Sequence, residues 1–463
     1  MIENPKVDEK AGNIAVSVLF SGAFYFSVLG YVVPLYTDYG NVAIYWLALL
    51  SSLSIVCFLS VYIFDRGWLH RKNTSLDLLV TLYVAWTVIS FLANSLVNIV
   101  TGNAEHLVAQ FQSLAIFLLT LVHYIWGRFS NAFGFSFGKF NSCVAGLYFL
   151  ACSSVLLYLL LTGDLYLARG DLGQRFPLLV VFWAWYFGGI WLVSGNKKYL
   201  LTFLLGSVVC LLSLTRAAYL QWILSAIAML FAVGTVKMFR GIASVAVLLI
   251  IAILVFDPFN SLNSPIISVL SDRFYDFMLS DNLAESDSST GFRLHVWDRL
   301  IGYLLDNPMA LIFGYGQVGP SYLPVGYIGD LGEVVTGTSA HSQYLDSLVR
   351  IGLPGLVLEL GISFVAVFAL FRGNTTVQIR IIAACLAGHL VFGAFHESVR
   401  WHVFGMVFWF FIGVIAQYLE NWSLPYWNRG GFVRTPRVVR SGGAALPVVA
   451  VRASPVQSAN AQE

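Results

Sequence analysis

Long apolar stretches recur along almost the whole chain, and they constrain the fold more than any other feature of the sequence. Each is long enough to cross a hydrocarbon layer of about 30 Å as a helix. About twelve can be recognised, at roughly 14–34, 42–63, 77–99, 107–126, 142–162, 177–194, 199–215, 217–236, 241–256, 353–371, 376–394 and 401–419. Within a bilayer the backbone must satisfy its own hydrogen bonds, and a helix does so within one segment. With 58% hydrophobic and only 11% charged residues, the sequence predicts an all-α polytopic membrane protein of about twelve transmembrane helices.

The distribution of polar residues divides the chain into four regions. Residues 1–256 contain the first nine predicted helices, and 353–420 contain the last three. Between them, residues 257–352 form one large loop that contains most of the chain's aspartates. Residues 421–463 are of low complexity, which predicts a disordered tail. The apolar run from Ile14 to Val33 is longer than a signal-peptide core, so we expect a retained helix.

The positions of the lysines predict the orientation, because cytoplasmic loops of membrane proteins are enriched in lysine and arginine. With the N-terminus inside, all seven lysines fall on the cytoplasmic side: Lys6, Lys10, Lys72, Lys139, Lys197, Lys198 and Lys237. The sequence therefore predicts that both termini lie in the cytoplasm and that the large loop lies on the opposite side of the membrane.

Eight arginines remain on the other side of this predicted topology: Arg169, Arg175, Arg216, Arg273, Arg293, Arg299, Arg350 and Arg400. A guanidinium group binds phosphate through two parallel hydrogen bonds and keeps its charge. As a set they favour a phosphate-bearing ligand at the outer surface. The alternative for any one of them is pairing with a loop carboxylate or a lipid headgroup.

Three segments in this half of the chain carry a recognisable pattern. The first is SLTRAA, which contains Arg216. The second is GFRLHVW around Arg293, followed by Asn-Pro at 307–308 and Gly-Tyr-Gly at 314–316. The third is AHSQYL from Ala340, followed by Gly352 and Gly355. In type, order and spacing they resemble the motifs of the O-antigen ligase and polysaccharide polymerase superfamily, over about 200 residues from Leu200 to Leu390. Ser342 replaces the asparagine usual in the third motif.

The resemblance implies a GT-C-like membrane glycosyltransferase that acts on undecaprenyl-diphosphate-linked glycan. The leading interpretation is a polymerase of repeat units for O-antigen, capsular or exopolysaccharide. An O-antigen ligase that transfers glycan to lipid A-core is the second interpretation. A transporter of a small anion or sugar is the third, although the predicted spans contain almost no charge and show no internal repeat, which does not favour it. Membrane lipids, a chain-length regulator and a flippase of the same pathway are the expected partners, and no nucleic acid is expected.

Glycan transfer needs a base for the acceptor hydroxyl and stabilisation of the departing diphosphate. His341 is the candidate base, because an ordinary histidine exchanges a proton near neutral pH. Arg216 and Arg293 are the candidates for the diphosphate. Each has a structural alternative: a helix-start histidine bonded to backbone, an arginine at a helix end, and a loop arginine paired with a carboxylate. Arg169, Arg175 and Tyr344 are weaker candidates for binding substrate.

Several familiar motifs are missing from the sequence. It contains neither a GxxxxGK[ST] loop for ATP nor an HExxH zinc motif, and its five cysteines all lie in apolar runs. We therefore expect metal-independent chemistry without a cofactor.

Overall fold

The structure is a computed structural model, which describes residues 74–130, 137–162, 176–212, 216–256, 289–316, 327–328, 334–335, 342–372, 375–394 and 402–420. Within these residues lie twelve α-helices: α1 Ser75–Val100, α2 Ala104–Phe129, α3 Phe137–Thr162, α4 Phe176–Ser194, α5 Lys197–Leu212, α6 Arg216–Val233, α7 Thr235–Phe256, α8 Ser289–Asp306, α9 Pro308–Phe313, α10 Gln343–Phe368, α11 Val377–Gly393 and α12 His402–Glu420. Two short strands, β1 Tyr327–Ile328 and β2 Val334–Val335, pair antiparallel, with Tyr327 opposite Val335.

The helices agree with the predicted class of fold. Ten of the twelve predicted spans coincide with α1–α7 and α10–α12. The predicted spans at 14–34 and 42–63 and the predicted tail at 421–463 lie outside the described residues. By length and composition, four described helices can cross a membrane: Ser75–Val100, Ala104–Phe129, Phe137–Leu157 and Gln343–Phe368. Shorter apolar helices occur at Leu179–Ser194, Ala218–Val233, Val377–Gly393 and Phe404–Leu419. The protein is therefore an all-α membrane protein.

A polar cluster joins the beginning of α1 to the end of α2. Thr74 caps α1 in a capping box, in which the Asp77 backbone N–H donates to the Thr74 hydroxyl and the Thr74 N–H donates to the Asp77 carboxylate. The same carboxylate accepts hydrogen bonds from Arg128 Nε at 2.8 Å, from Arg128 Nη2 at 3.0 Å and from the Tyr124 hydroxyl at 2.6 Å. The Arg128 side chain is 5% exposed. One buried ion pair thus fixes the α1–α2 hairpin at this end.

Helix α4 forms the centre of the bundle. All nine residues from 179 to 187 are buried, and they include Trp183, Trp185 and Tyr186. A helix that is apolar on every side is buried in a protein core or in a membrane, and α4 packs against α5, α6, α7 and α11. The sequence of α4 suits burial on every side, because it consists almost entirely of aromatic and aliphatic residues.

Helices α2 and α12 touch through two glycines. A Cβ atom added to Gly127 would overlap the carbonyl oxygen of Phe410, and one added to Gly413 would overlap the carbonyl oxygen of Tyr124. Small residues let membrane helices approach closely enough for their backbones to make contact. Farther along, the Ser130 hydroxyl of α2's C-cap donates to Gln417 at 2.8 Å. This contact makes α2 and α12 a rigid support beside α1 and α10.

Candidate active site

Helix α10 is sharply bent at Gly352 rather than straight. Gly352 has φ +69° and ψ −178°, a backbone conformation essentially restricted to glycine. The Gln343 Nε2 atom donates to the Glu359 carboxylate at 2.8 Å, although sixteen residues of straight helix would separate the two by about 24 Å. The first part of α10, Gln343–Ile351, therefore folds back beside the second part, Leu353–Phe368. Pro354 lies in the first turn of the second part, where a helix tolerates proline.

Helix α8 packs on the first part of α10 through a small apolar core of its own. Val296, Leu300 and Leu304 recur every four residues along one face of α8, and they contact Leu345 and Val349 of α10. Trp297, Tyr303, Ala310, Leu311, Tyr315 and Leu348 pack around this cluster. Trp297 therefore packs against this core. The second and third sequence motifs share this one small core.

The turn after α9 holds the bend in α10 through backbone contacts. The Tyr315 N–H donates to the Val349 carbonyl at 2.6 Å, and the Gly316 N–H donates to the Arg350 carbonyl at 3.2 Å. A Cβ atom on Gly314 would overlap the Arg350 carbonyl oxygen, and one on Gly352 would overlap the Ile312 carbonyl oxygen. Gly314 of the second motif and Gly352 of the third are therefore required, because the backbones of α9 and α10 touch at these two residues.

Helix α1 binds the same junction from the other side. The Ser90 hydroxyl donates to the Phe313 carbonyl at 2.5 Å, and the Trp86 Nε1 atom donates to the Ile351 carbonyl at 2.7 Å. The Trp86 ring also stacks on the Phe313 ring at a centroid distance of 5.6 Å. Sequence reasoning missed both α1 residues, because a tryptophan and a serine in an apolar span are not distinctive by themselves.

Arg350, one of the eight arginines predicted to face the outer surface, has a carboxylate partner. Its Nε atom donates to both oxygens of Asp346, at 2.9 and 2.8 Å, and the Asp346 side chain is 1% exposed. The two residues are four positions apart, the spacing at which helix side chains meet. For Arg350 the structure thus supports the alternative of pairing with a carboxylate.

The beginning of α10 lies beside the end of α11. The Tyr344 hydroxyl donates to the Leu390 carbonyl, and Gly393 lies in van der Waals range of both Gln343 and Tyr344. The half-buried Tyr344 ring is thereby fixed between two helices. The role of Tyr344 in substrate binding stays a prediction.

The predicted arginine Arg216 is the first residue of α6, and α6 runs antiparallel to α11. Ser225 of α6 touches Gly388 of α11. Farther along the same two helices, Met229 of α6 and Ile381 of α11 both lie against Gly189 of α4. The contacting residues thus have increasing numbers along α6 and decreasing numbers along α11. The beginning of α6 therefore lies at the same end of the bundle as the end of α11. The first motif therefore begins a helix at the end of the bundle where α10 also begins.

The other predicted site residues are described in part or not at all. Arg293 lies in the first turns of α8, and its side chain is outside the described parts. His341, Arg169 and Arg175 lie outside the described residues, and His341 directly precedes Ser342, the N-cap of α10. These four positions remain predictions.

One polar residue inside a span escaped the sequence reasoning altogether. Glu359, in the second part of α10, is 3% exposed. It accepts hydrogen bonds from Tyr83, Gln343 and Ser347. A single carboxylate in an otherwise apolar span was the available signal, because ionisable residues at such positions are rare and functional by default.

Tyr303 of α8 and Tyr315, which follows α9, are protonated at neutral pH. Burial raises the pKa of Tyr315, and burial together with the neighbouring Tyr315 raises the pKa of Tyr303. Their ring centroids are 6.4 Å apart. Tyr315 therefore offers a neutral hydroxyl group in the turn that contacts α10.

The helices and their shared junction define an all-α membrane protein in which a separate small core is attached to a bent helix. Residues 201–360 match the model of a family described as O-antigen ligase, and this region runs from α5 to the second part of α10. Over these residues the match confirms the resemblance to the O-antigen ligase and polysaccharide polymerase superfamily that the three motifs predicted. Members of this family are glycosyltransferase-like enzymes. No curated protein matches the chain.

Proposed function

We propose that the protein is a membrane glycosyltransferase that polymerises undecaprenyl-diphosphate-linked repeat units on the periplasmic face of the bacterial inner membrane. The family match carries the proposal, and one feature of the fold supports it. The family match at 201–360 includes the positions of Arg216, Arg293 and His341, and the contacts between α8, α9 and α10 join the second and third motifs into one unit. A catalytic site built from these motifs requires such a junction.

The proposed topology is the one predicted from the sequence. It has about twelve transmembrane helices in a GT-C-like arrangement, one large periplasmic loop at 257–352 and both termini in the cytoplasm. The bend in α10 supports a boundary near residue 352, since α8 and α9 dock on the first part of α10 and the apolar span predicted from the sequence begins at residue 353.

In the proposed reaction, His341 removes the proton from an acceptor sugar hydroxyl. The oxygen of that hydroxyl bonds to the anomeric carbon of the donor, and the bond from that carbon to the phosphate oxygen breaks. Undecaprenyl diphosphate leaves with the electron pair. Arg216 and Arg293 stabilise its charge, and two guanidinium groups held in place before the reaction suit a diphosphate. The energy comes from the phosphate–sugar bond, so no nucleotide is needed, and the proposed mechanism uses no metal.

Further residues have proposed roles around this centre. Arg169 and Arg175 hold the donor glycan, and Tyr344 lines the acceptor side, where its bond to the Leu390 carbonyl fixes the ring. A flippase supplies the lipid-linked repeat units, and a chain-length regulator is the further partner.

Transfer of finished glycan to lipid A-core is the second candidate function, because the matched family model is described by that reaction. Deletion of the gene and electrophoresis of the surface glycan separate the two. A polymerase deletion leaves a single repeat on lipid A-core. A ligase deletion removes all repeats from lipid A-core and leaves long chains on the carrier.

The mechanism is tested with purified protein in liposomes that contain lipid-diphosphate repeat units and excess EDTA without nucleotide. His341→Ala and His341→Gln should each reduce chain growth by about a hundred- to ten-thousand-fold, the usual contribution of a positioned base. His295→Ala and His396→Ala are the matched controls and should keep wild-type rates. A near wild-type rate for His341→Gln would exclude the general base, and loss of wild-type activity in EDTA would indicate a metal.

A further inference from the structure

Glu359 accepts three hydrogen bonds inside the helix bundle. Its Oε1 atom accepts from Gln343 Nε2 at 2.8 Å, and its Oε2 atom accepts from the Ser347 hydroxyl at 2.6 Å and from the Tyr83 hydroxyl at 3.1 Å. Gln343 Nε2 also lies 3.0 Å from the Ser347 hydroxyl oxygen. We call these four residues the Glu359 network.

The Glu359 network connects three separate segments of the chain. Gln343 and Ser347 belong to the first part of α10, Glu359 to the second part and Tyr83 to α1. The separations along the chain are 12, 16 and 276 residues. These bonds therefore fix the angle at which the first part of α10 folds back from the bend at Gly352.

Among the described residues, the two ends of the first part of α10 are held by different sets of contacts. Backbone contacts with Tyr315 and Gly316 hold its far end, at Val349 and Arg350. Its near end is held by Gln343 in the Glu359 network and by Tyr344 against α11. A carboxylate in this position costs desolvation energy that an aliphatic side chain would avoid. In return, its two oxygens hold two side chains one helical turn apart in a single orientation.

We propose that Glu359 is a positioning residue for the transfer site. It holds the first turn of α10, and with it the residue that directly precedes the N-cap, His341, at the angle that transfer requires. The role of His341 in this inference rests on the proposed function. The part of the inference in which Glu359 fixes the first turn of α10 is independent of the proposed function.

Positioning through hydrogen bonds and action through charge or proton transfer predict different results for Glu359→Gln. A glutamine oxygen can accept from Gln343, and its amide can donate to the Ser347 or Tyr83 hydroxyl, because a hydroxyl serves as donor or acceptor. Positioning therefore predicts that Glu359→Gln keeps at least a tenth of wild-type kcat with an unchanged pH–rate profile. Glu359→Ala, which removes every bond of the side chain, should lower kcat at least a hundredfold and leave KM for the lipid donor within threefold.

Substitutions that each remove one hydrogen bond of the network provide variants that need not disturb the fold. Ser347→Ala removes the 2.6 Å bond to the first part of α10, and Tyr83→Phe removes the 3.1 Å bond to α1. Ser347→Ala should lower kcat more than Tyr83→Phe, because only Ser347 lies in the part of α10 that is held. Ser363→Ala, a buried serine one turn beyond Glu359 in the same helix, is the matched control and should keep wild-type kcat.

The experiment combines donor-turnover kinetics in liposomes with hydrogen exchange of the same proteins in nanodiscs. In Glu359→Ala, the amides of 345–351 should exchange at least tenfold faster than in wild type, whereas those of 357–368 and the Ser363→Ala protein should be unchanged. Wild-type kcat in Glu359→Ala, or a Glu359→Gln protein as inactive as Glu359→Ala, would overturn the inference. So would unchanged exchange at 345–351. If the wild-type protein transfers no glycan, the proposed function fails, and the exchange data still decide whether Glu359 holds the first turn.

Discussion

Replacement of Gly352 by alanine tests the bend in α10 most directly. At φ +69° and ψ −178°, a side chain strains the backbone by about 1–3 kcal/mol. The added Cβ atom would overlap the Ile312 carbonyl oxygen and would approach Gly314 N to 2.9 Å. Overpacking of this kind costs about 1–3 kcal/mol more. The substitution should therefore weaken the docking of α9 on α10 by about 2–6 kcal/mol.

Two backbone amides report this loss where it occurs. The N–H groups of Tyr315 and Gly316 donate across the junction to the first part of α10, so they exchange with solvent when the junction opens. Since about 1.4 kcal/mol corresponds to a factor of ten, a loss of 2 kcal/mol or more should accelerate their exchange by about 30-fold or more. Hydrogen exchange with mass spectrometry on the purified protein in nanodiscs measures this change. Transfer activity should fall in the same variant.

Gly361→Ala is the matched control in the same helix. Gly361 lies in the second part of α10, and an added Cβ atom would lie 3.8 Å from the nearest Leu79 methyl group, which is ordinary contact. Alanine is favoured over glycine in a helix by about 0.5–1 kcal/mol, so exchange at Tyr315 and Gly316 should not rise. Exchange in Gly352→Ala within threefold of the wild-type rate would refute the argument that two backbones touch at the bend.

Three further predictions concern other parts of the molecule. Arg128→Ala leaves its carboxylate partner at the start of α1 without its ion pair, and it should lower the free energy of unfolding by about 3 kcal/mol, measured by denaturation in detergent. Arg216→Lys and Arg293→Lys keep the charge but lose the planar fork, so each should lose most transfer activity; full activity in both would assign them to topology or packing. Reporter fusions after Lys237 should be cytoplasmic and fusions near Ser289 periplasmic, and a periplasmic signal at Lys237 would invert the proposed topology.

The class of fold could be predicted because the bilayer acts on local sequence. A helix that crosses a membrane needs about twenty apolar residues in succession, and such a run is visible without any knowledge of its neighbours. The ten predicted spans within the described residues accordingly coincide with helices. The superfamily could be predicted for a similar reason, since each motif is a short run around Arg216, Arg293 or His341.

One local signal was available but was not used. Asp346 and Arg350 are four residues apart, the spacing at which helical side chains pair, and the structure pairs them. The apolar pattern predicts a span at 353–371 and therefore a loop before it. In a loop, a spacing of four residues does not predict that two side chains pair. In the structure this segment is the first part of α10, so the pair lies on a helix after all.

The sequence by itself determined that the chain is an all-α membrane protein that resembles the O-antigen ligase superfamily, since both conclusions depend on residues that are close together along the chain. Only the tertiary structure decided that α10 folds back at Gly352, that Gly314 and Gly352 lie where two backbones touch, and that Glu359 binds Tyr83, which is 276 residues away. The physical reason is that hydrogen bonds and close contacts between distant segments depend on how whole helices pack. A glycine or a glutamate has the same local pattern whether or not another segment lies against it.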